Sequence, residues 1–501
     1  MGVVHYDAQH SVAGCVVVME TFVAAVDIGA SSGRVLVGCL NRQNRLTIEE
    51  VHRFENGFVE RDGHDCWDVD NLFAQIETGL EKILSRGIAL SSVAVDTWGV
   101  DFVLVDGEGK MLGQPVAYRD KRTDGVMEEV FKVIPREELF ACTGIAFMQF
   151  NTIYQLFALL KESPAWLEQA KTLLLMPDYL HYRLSGAMSC EYTNATTSQL
   201  VSLQTKTWDR EILDKLAIPA HWFQPLTQPG SQVGEWTSRS GARVKVITPA
   251  SHDTAAAVLA TPLVDENSLY ISSGTWSLIG IESEKSYGDA AVMAASFTNE
   301  GGVDGTYRIL KNVMGLWLVQ RLRDAAPELS FADIVRQAEQ ARPFAYLINP
   351  NDTRFLNPAS MKEEIAAFCR ETGQGEPQTF GEFARCVYES LAFAYRQALD
   401  ALSSLSGRQY QRIHVVGGGS QNRFLCQLTA DLCRVPVHTG PIEASALGNM
   451  TSQLRALGLL KDRRAIRDLI RANFSGDVLT PDAALADRVA PHWDRYKTLC
   501  G

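Results

Sequence analysis

Four short stretches carry the side chains that could do chemistry. In "VDIGASSGR", Val26 to Arg34, an apolar run ends on Asp27 and breaks at a turn of small residues. Gly29, Ser31, Ser32 and Gly33 supply donors and Arg34 supplies charge. Backbone N–H groups in such a turn make an anion-binding concavity, and glycine lets a ligand approach closely. The spacing is neither a P-loop nor the G-x-G-x-x-G fingerprint. Asp27 suits a carboxylate that holds a metal ion through water beside phosphates. It also suits a turn aspartate bonded to its own backbone.

In "ITPASHDTAAAVLA" (247–260) an apolar strand leads to Ser251, His252, Asp253 and Thr254, and then to an alanine-rich helix. Ser, Asp and Thr at a helix start are ordinary capping residues. The alternative is a general base at Asp253, kept ionised by the helix dipole and by N–H donors; a carboxylate serves an alcohol well when proton transfer comes late. His252 reads as an orienting or packing residue. "HVVGGGSQN" (414–422) runs a strand into three glycines, costly in backbone entropy unless something needs the space. Either a flat adenosine lies on Gly417–Gly419 or the chain makes a sharp strand–helix turn. "VDTWGVDF" (95–102) places Trp98 between Asp96 and Asp101, the materials of a sugar site or of a core tryptophan with turn aspartates. "VAYRDKRT" (116–123) adds Arg119 and Asp120, and by itself reads as a solvated loop.

The elements around these stretches repeat. From Phe22 the pattern is strand, tight turn, strand, then a third strand at 45–54. Val69, Leu72, Phe73, Ile76, Leu80 and Ile83 follow on helical spacing, and a strand returns at 91–98, with more β-like sequence at 100–106. This order differs from the strict alternation of a dinucleotide-binding fold. The second half reopens with strand, small-residue turn at Ser272–Thr275 and strand (268–282), with further strands expected at 292–298 and 306–312. Helices are expected at 314–325 and 383–405, then a strand entering the three glycines. Two copies of one architecture, split near Thr261–Asp265, would set two turns facing each other across a cleft, where they could clamp a polyphosphate.

Bulk properties are compatible with this. The chain has 501 residues, 46% hydrophobic and 21% charged, with a formal net charge of −12. That balance argues against a nucleic-acid partner, and the longest apolar runs are too short for a membrane span. Ten scattered cysteines show no C-x-x-C and no zinc spacing, which reads as reduced thiols; a pairing of Cys369 with Cys386 is left open. Residues 1–20 lack a signal-peptide pattern and read as an extension, disordered or ahead of a true start at Met19.

Nine blocks occur in a familiar order: "DIGASSGR", "DTWGVDF", "AYRDKRT", "MPDYLHYRLSG", "EYTNATTSQL", "SHDTA", "SSGTWSL", "LKNVMGLWLVQ" and "GGGSQN". From Val23 to Asn449 the chain resembles the FGGY family of carbohydrate kinases. The resemblance implies an α/β fold of two ribonuclease-H-like (actin/hexokinase-like ATPase) domains around a central cleft. Residues 21–262 would bind sugar and phosphate, and 263–501 the nucleotide. It implies ATP-dependent phosphorylation of L-rhamnulose at its C1 hydroxyl, with ATP and Mg²⁺ as cofactors and a free ketose as partner. Neither nucleic acid nor membrane is implied. The enzyme would be cytoplasmic, a monomer or small homo-oligomer. L-fuculose or L-ribulose are the alternative ketoses, and an actin/Hsp70-like conformational ATPase is the alternative class.

Carried over by motif, Ala30, Ser31, Ser32, Gly33, Arg34 and Thr275 would contact the ATP phosphates. Asn312 and Gln320 would line the nucleotide pocket, and Gly418 would pack on the adenosine. Gly99, His252, Asp253 and Thr254 would touch the sugar, with Asp253 as base and Asp27 organising Mg²⁺.

Overall fold

The structure, a computed structural model, describes residues 20–500, the side chains of residues 486 and 487 excepted; the expected extension at 1–20 falls outside this range apart from its last residue. The N-terminal half is built on strands β1 (Thr21–Ile28), β2 (Ser32–Leu40) and β3 (Leu46–Glu55), helix α1 (Val69–Ser85), strands β4 (Leu90–Thr97), β5 (Ser231–Thr237) and β6 (Arg243–Thr248), and helix α2 (Asp253–Ala260). Its six-stranded sheet has the order β5–β6–β4–β1–β2–β3. β1 pairs antiparallel with β2 and parallel with β4, so that Asp27 lies in register with Asp96.

The unbroken apolar run of β1 follows from cover on both faces. Ala24, Val26 and Ile28 pack with Leu72, Ile76 and Leu80 of α1. Val23 and Ala25 pack on the other side with Ala255, Ala256 and Leu259 of α2. Burying each of the larger side chains contributes about 1.5–3 kcal/mol. α1 starts where Asp68 accepts from the Asn71 N–H, a side-chain cap.

The C-terminal half repeats the plan with β7 (Ser268–Ser273), β8 (Trp276–Ser283), β9 (Thr298–Gly301), β10 (Tyr307–Met314), α3 (Phe380–Ser406), β11 (Arg412–Val416), β12 (Val437–Thr439), α4 (Ala444–Ala456), α5 (Arg463–Phe474) and β13 (Val478–Leu479). Its seven strands run β9–β10–β8–β7–β11–β12–β13. β7 pairs antiparallel with β8 and parallel with β11, as β1 does with β2 and β4. The two hairpin turns expected from sequence are therefore equivalent points of two related sheets.

Two expectations need correction. Residues 292–298 are not a strand: Ala290–Ala294 is a short helix capped by Asp289, whose carboxylate accepts from the Val292 N–H, and the strand begins only at Thr298. An aspartate cap ahead of Ala-Ala-Val-Met-Ala outweighs the β-like reading. The apolar run after Trp98 does form a strand, Phe102–Val105, but it pairs with Met111–Leu112 and Thr172–Leu175 in a separate small sheet. That sheet belongs to an insertion between β4 and β5 with its own core, including Tyr154, Leu156, Tyr192 and Trp222.

α4 joins the halves. Its Leu447, Met450 and Leu454 pack with Val23, Ala25 and Leu36, and it crosses α2 so closely that a Cβ on Gly448 would lie 1.8 Å from the Ala256 carbonyl oxygen. Cys369 and Cys386, whose pairing the sequence leaves open, are both buried free thiols. Among the described residues no helix is long and apolar enough to cross a membrane.

Candidate active site

Three acidic residues stand at the C-terminal ends of neighbouring parallel strands: Asp27 on β1, Asp96 on β4, and Asp253 five residues beyond the last residue of β6. In open α/β sheets this is where ligands bind. Asp96 is fully buried, and burial together with the charge of Asp27 pushes its carboxyl well above the usual range, against a hydrogen bond from Asn449. Asp253 is half-buried at the first turn of α2, where the Thr254 N–H donates to its Oδ1 at 2.6 Å. Burial raises it to about 6, opposed by His252 and reinforced by Asp27. A carboxylate so poised is ionised at neutral pH yet basic enough to take a proton. The negative charge expected of Asp253 at pH 7 is retained.

The first turn is shaped from outside. Three of its carbonyls are occupied, Gly29 by the Asn56 amide (2.8 Å), Ser31 by the Asn56 N–H (3.0 Å) and Ser32 by the Gly29 N–H (2.8 Å). The N–H groups of Ala30 and Ser31 find no partner among the described residues, which suits an anion. Gly33 packs against Phe54, where a Cβ would lie 2.3 Å from the ring. Arg34 donates to Asp27 at 2.7 Å and pairs with Glu443 of the other half at 2.5 Å, so it spans the halves with its charge already matched.

The second turn is held similarly. The N–H groups of Leu316, Gly315 and Trp317 donate to the carbonyls of Gly274 and Thr275, and Thr275 is left exposed at the tip. Asn312, exposed on β10, lies in register with Leu278 of β8 near the same end of the sheet, and half-buried Gln320 is on the helix Trp317–Leu322 that follows. Two of the three glycines after β11 have a packing reason: a Cβ on Gly417 would lie 2.8 Å from the Ser273 carbonyl oxygen, and one on Gly419 1.9 Å from Ser273 Oγ. Only Gly418 opens on space, with nothing within 4 Å of a Cβ.

The sugar-side reading of "VDTWGVDF" divides. Asp101 is fully buried, and its oxygens accept from Trp67 Nε1 (2.6 Å), Trp98 Nε1 (2.9 Å), Gln155 Nε2 (3.0 Å) and the Tyr118 N–H (3.2 Å). It is an anchor for two indoles and not a free acceptor for hydroxyls. Trp98, 7% exposed, packs at a tilt of 40° against Trp67, 4.2 Å between ring centroids, and leaves little of its surface open. Gly99 is buried against Thr197, where a Cβ would meet the side chain at 2.8 Å. Asp120 is likewise occupied, by His64, the Asp65 N–H and the Arg122 N–H. Satisfaction by hydrogen-bond donors is the physical reason for Asp101 and Asp120.

The structure adds residues that the motifs did not mark. Arg308 on β10, 1% exposed, donates to Thr254 Oγ1 (2.9 Å) and His252 Nδ1 (3.1 Å) and pairs with Glu300 (3.0 Å). Glu300 is held down to about 2: burial opposes its charge, but Arg308 and His252 outweigh it. Glu191, fully buried, accepts from Ser251 N–H and Oγ and from Thr193 N–H and Oγ1, fixing the chain just before His252.

The residues fit a divalent cation. Asp27 and Asp96 are side by side, and the buried Oδ1 of Asp96 has no hydrogen-bond partner. Two crowded carboxylates with an orphaned oxygen are what a hard cation with oxygen ligands would relieve.

A sheet duplicated about a cleft, with strand-end carboxylates on one side and small-residue turns on both, is the architecture of a two-domain phosphotransferase. The sequence profile of the N-terminal domain of the FGGY family of carbohydrate kinases matches residues 22–260, and that of the C-terminal domain matches 269–457. The chain belongs to this family, and its fold is the actin/hexokinase-like ATPase fold. It is 48% identical over 478 residues to the rhamnulokinase of Pectobacterium atrosepticum, covering 95% of this chain and 96% of that one. It is 49% identical over 453 residues to the rhamnulokinase of Mannheimia succiniciproducens, covering 90% and 93%. Among solved structures it is similar in fold to gluconate kinase from Lactobacillus acidophilus (TM-score 0.80, 17% identity, 96% and 98% covered) and to Plasmodium falciparum glycerol kinase with ADP (TM-score 0.77, 14% identity, 95% and 98% covered).

Proposed function

We propose that this protein transfers the γ-phosphoryl group of ATP to the C1 hydroxyl of L-rhamnulose, giving L-rhamnulose 1-phosphate and ADP. The observation that carries the site reading is Asp253, a half-buried carboxylate near pKa 6 at the strand ends, flanked by residues of both halves. The ketose comes from the likeness to rhamnulokinases over 90–95% of the chain. Residues 21–262 form the sugar and phosphate side and 263–501 the nucleotide side of a cytoplasmic enzyme.

Phosphoryl transfer leaves the protein chiefly positioning and charge neutralisation to do. Asp253 takes the hydroxyl proton while the sugar oxygen bonds to phosphorus and the bond to the β–γ bridging oxygen breaks. The N–H groups of Ala30 and Ser31, with Ser32, Gly33 and Thr275, hold phosphate oxygens from the two turns. Arg34 adds positive charge there while keeping its pairs with Asp27 and Glu443. Asn312 and Gln320 border the nucleotide, and Gly418 leaves room for the adenosine. Gly99, His252 and Thr254 border the sugar. Asp27, through water, and Asp96 would hold Mg²⁺, which would spread the charge of the transferring group.

The test is ADP release by the full-length protein with Mg-ATP and one ketose at a time. L-rhamnulose should exceed L-fuculose, L-ribulose and D-xylulose in kcat/KM. Preference for another ketose would overturn the substrate, and ADP release indifferent to sugar would overturn the kinase reading.

A further inference from the structure

We propose that Arg308 is a positioning residue for the reaction: from the C-terminal half it fixes His252 in the Nε2–H tautomer, which leaves that N–H on the nitrogen nearer Asp253. The inference rests on the reading of Asp253 as the base. Arg308 is itself immobilised, since its Nε donates to the Gly301 carbonyl at 2.9 Å and its Nη2 lies 3.0 Å from Glu300 Oε2. The same Nη2 is 3.1 Å from His252 Nδ1, and Nη1 is 2.9 Å from Thr254 Oγ1.

A guanidinium only donates, so Nδ1 of His252 must accept and the ring proton must sit on Nε2. The Thr254 hydroxyl, 3.1 Å from Nδ1, is a second donor available to that nitrogen. Nε2 lies 3.4 Å from Asp253 Oδ1, close enough to donate with a small adjustment. The opposite tautomer would give Nδ1–H to Glu300, 3.3 Å away. It would also set that N–H against the Arg308 N–H and turn the Nε2 lone pair toward a carboxylate. The Thr254 hydroxyl, 3.3 Å from Nε2 as well, can serve the bare nitrogen of either tautomer; the choice is made by Arg308 and Asp253, which one tautomer satisfies together, against Glu300, which the other satisfies.

The consequence is that residues 252–254 of the N-terminal half are held by a strand of the C-terminal half. Asp27, Asp96 and the neutral phenol of Tyr118 face Asp253, whereas His252 and Arg308 favour its ionised form, and Glu300 acts on it from behind through its contacts with His252 and Arg308. Removing the cation should raise the base, and removing the charge of Glu300 should lower it.

The experiment uses the full-length protein. Nitrogen-15 NMR of the imidazole rings, with His252→Gln to assign the signal, should report the Nε2–H tautomer in the wild type and lose it in Arg308→Met. In the same variant kcat should fall about 10–100-fold, less than loss of the base itself, with the KM for ATP unchanged. The acid limb of kcat/KM for the ketose should move up by about half a pH unit or more, and Glu300→Gln should move it down. Arg308→Lys, which keeps the charge but not the fork, should keep the limb in place and still lose kcat.

A Nδ1–H tautomer in the wild type overturns the proposal even if no variant folds. So does an Arg308→Met enzyme of reduced thermal stability but unaltered limb. Should the wild type release no ADP with any ketose, the proposed activity falls, and the tautomer measurement still decides this inference.

Discussion

The side-chain amide of Asn449, on α4 of the C-terminal half, donates to Asp96 Oδ2 of the N-terminal half at 2.7 Å. The same amide reaches the Ala94 carbonyl (3.2 Å), and one turn on Gln453 donates to the Ala24 carbonyl (2.9 Å) and to Asn449 Oδ1 (2.8 Å). Asn449 is thus the partner that makes a buried carboxyl tolerable beside Asp27. Asn449→Leu removes that donor and strands Asp96, at a cost of about 1–3 kcal/mol in urea unfolding. Unchanged stability would mean Asp96 is satisfied in another way.

Gly448 sets how closely α2 and α4 cross. A methyl group there would lie 1.8 Å from the Ala256 carbonyl oxygen, which is backbone and yields poorly. Gly448→Ala should destabilise by about 3 kcal/mol or more and lower kcat, because Asp253 opens the displaced helix. A variant of normal stability would show that the helices separate freely.

Gly418 makes the opposite prediction. Nothing within 4 Å meets a Cβ at this position, so Gly418→Ala should leave the thermal midpoint unchanged while raising the KM for ATP. Gly419→Ala, blocked by Ser273 Oγ at 1.9 Å, should lower the midpoint. An unaltered ATP KM in Gly418→Ala would remove this residue from the nucleotide site.

Two buried histidines give a pH signature. His181 and His414 are lowered to about 3 by burial, the latter also by His438 and nearby arginines. The folded state therefore binds fewer protons than the unfolded state between pH 3 and the ordinary histidine range. Their neutral burial is fully tolerated above the unfolded value near 6.5, and stability falls as pH drops below it. At pH 5 each should cost about 2 kcal/mol relative to pH 7. His414→Phe should flatten the slope of urea-unfolding free energy against pH; an equal slope would place the acid sensitivity elsewhere.

What could be read from sequence was what is local. The hairpins, α1 and α3 follow from period and caps. Asp27, Asp253 and both turns stand out because each joins a polar cluster to the end of an apolar run. Arg308, Glu300, Glu443 and Asn449 were missed because they act across the halves, and no local spacing ties residue 308 to residue 252. Signals existed, since Arg308 interrupts the buried strand of Tyr307, Ile309 and Leu310, and Asn449 and Gln453 recur at i, i+4 as buried amides on one helix. Asp101 was over-read for the converse reason: the indoles of Trp67 and Trp98 that consume its oxygens are brought to it by the fold.

Asp253→Asn is the most direct test of the account, because it keeps the size of the side chain and its place at the helix start while removing the base. Single-turnover transfer from Mg-ATP to L-rhamnulose should slow by about 10²–10⁴-fold, with ADP binding measured by calorimetry unchanged. Transfer at near wild-type rate with ADP bound normally would contradict the assignment of Asp253 as the base.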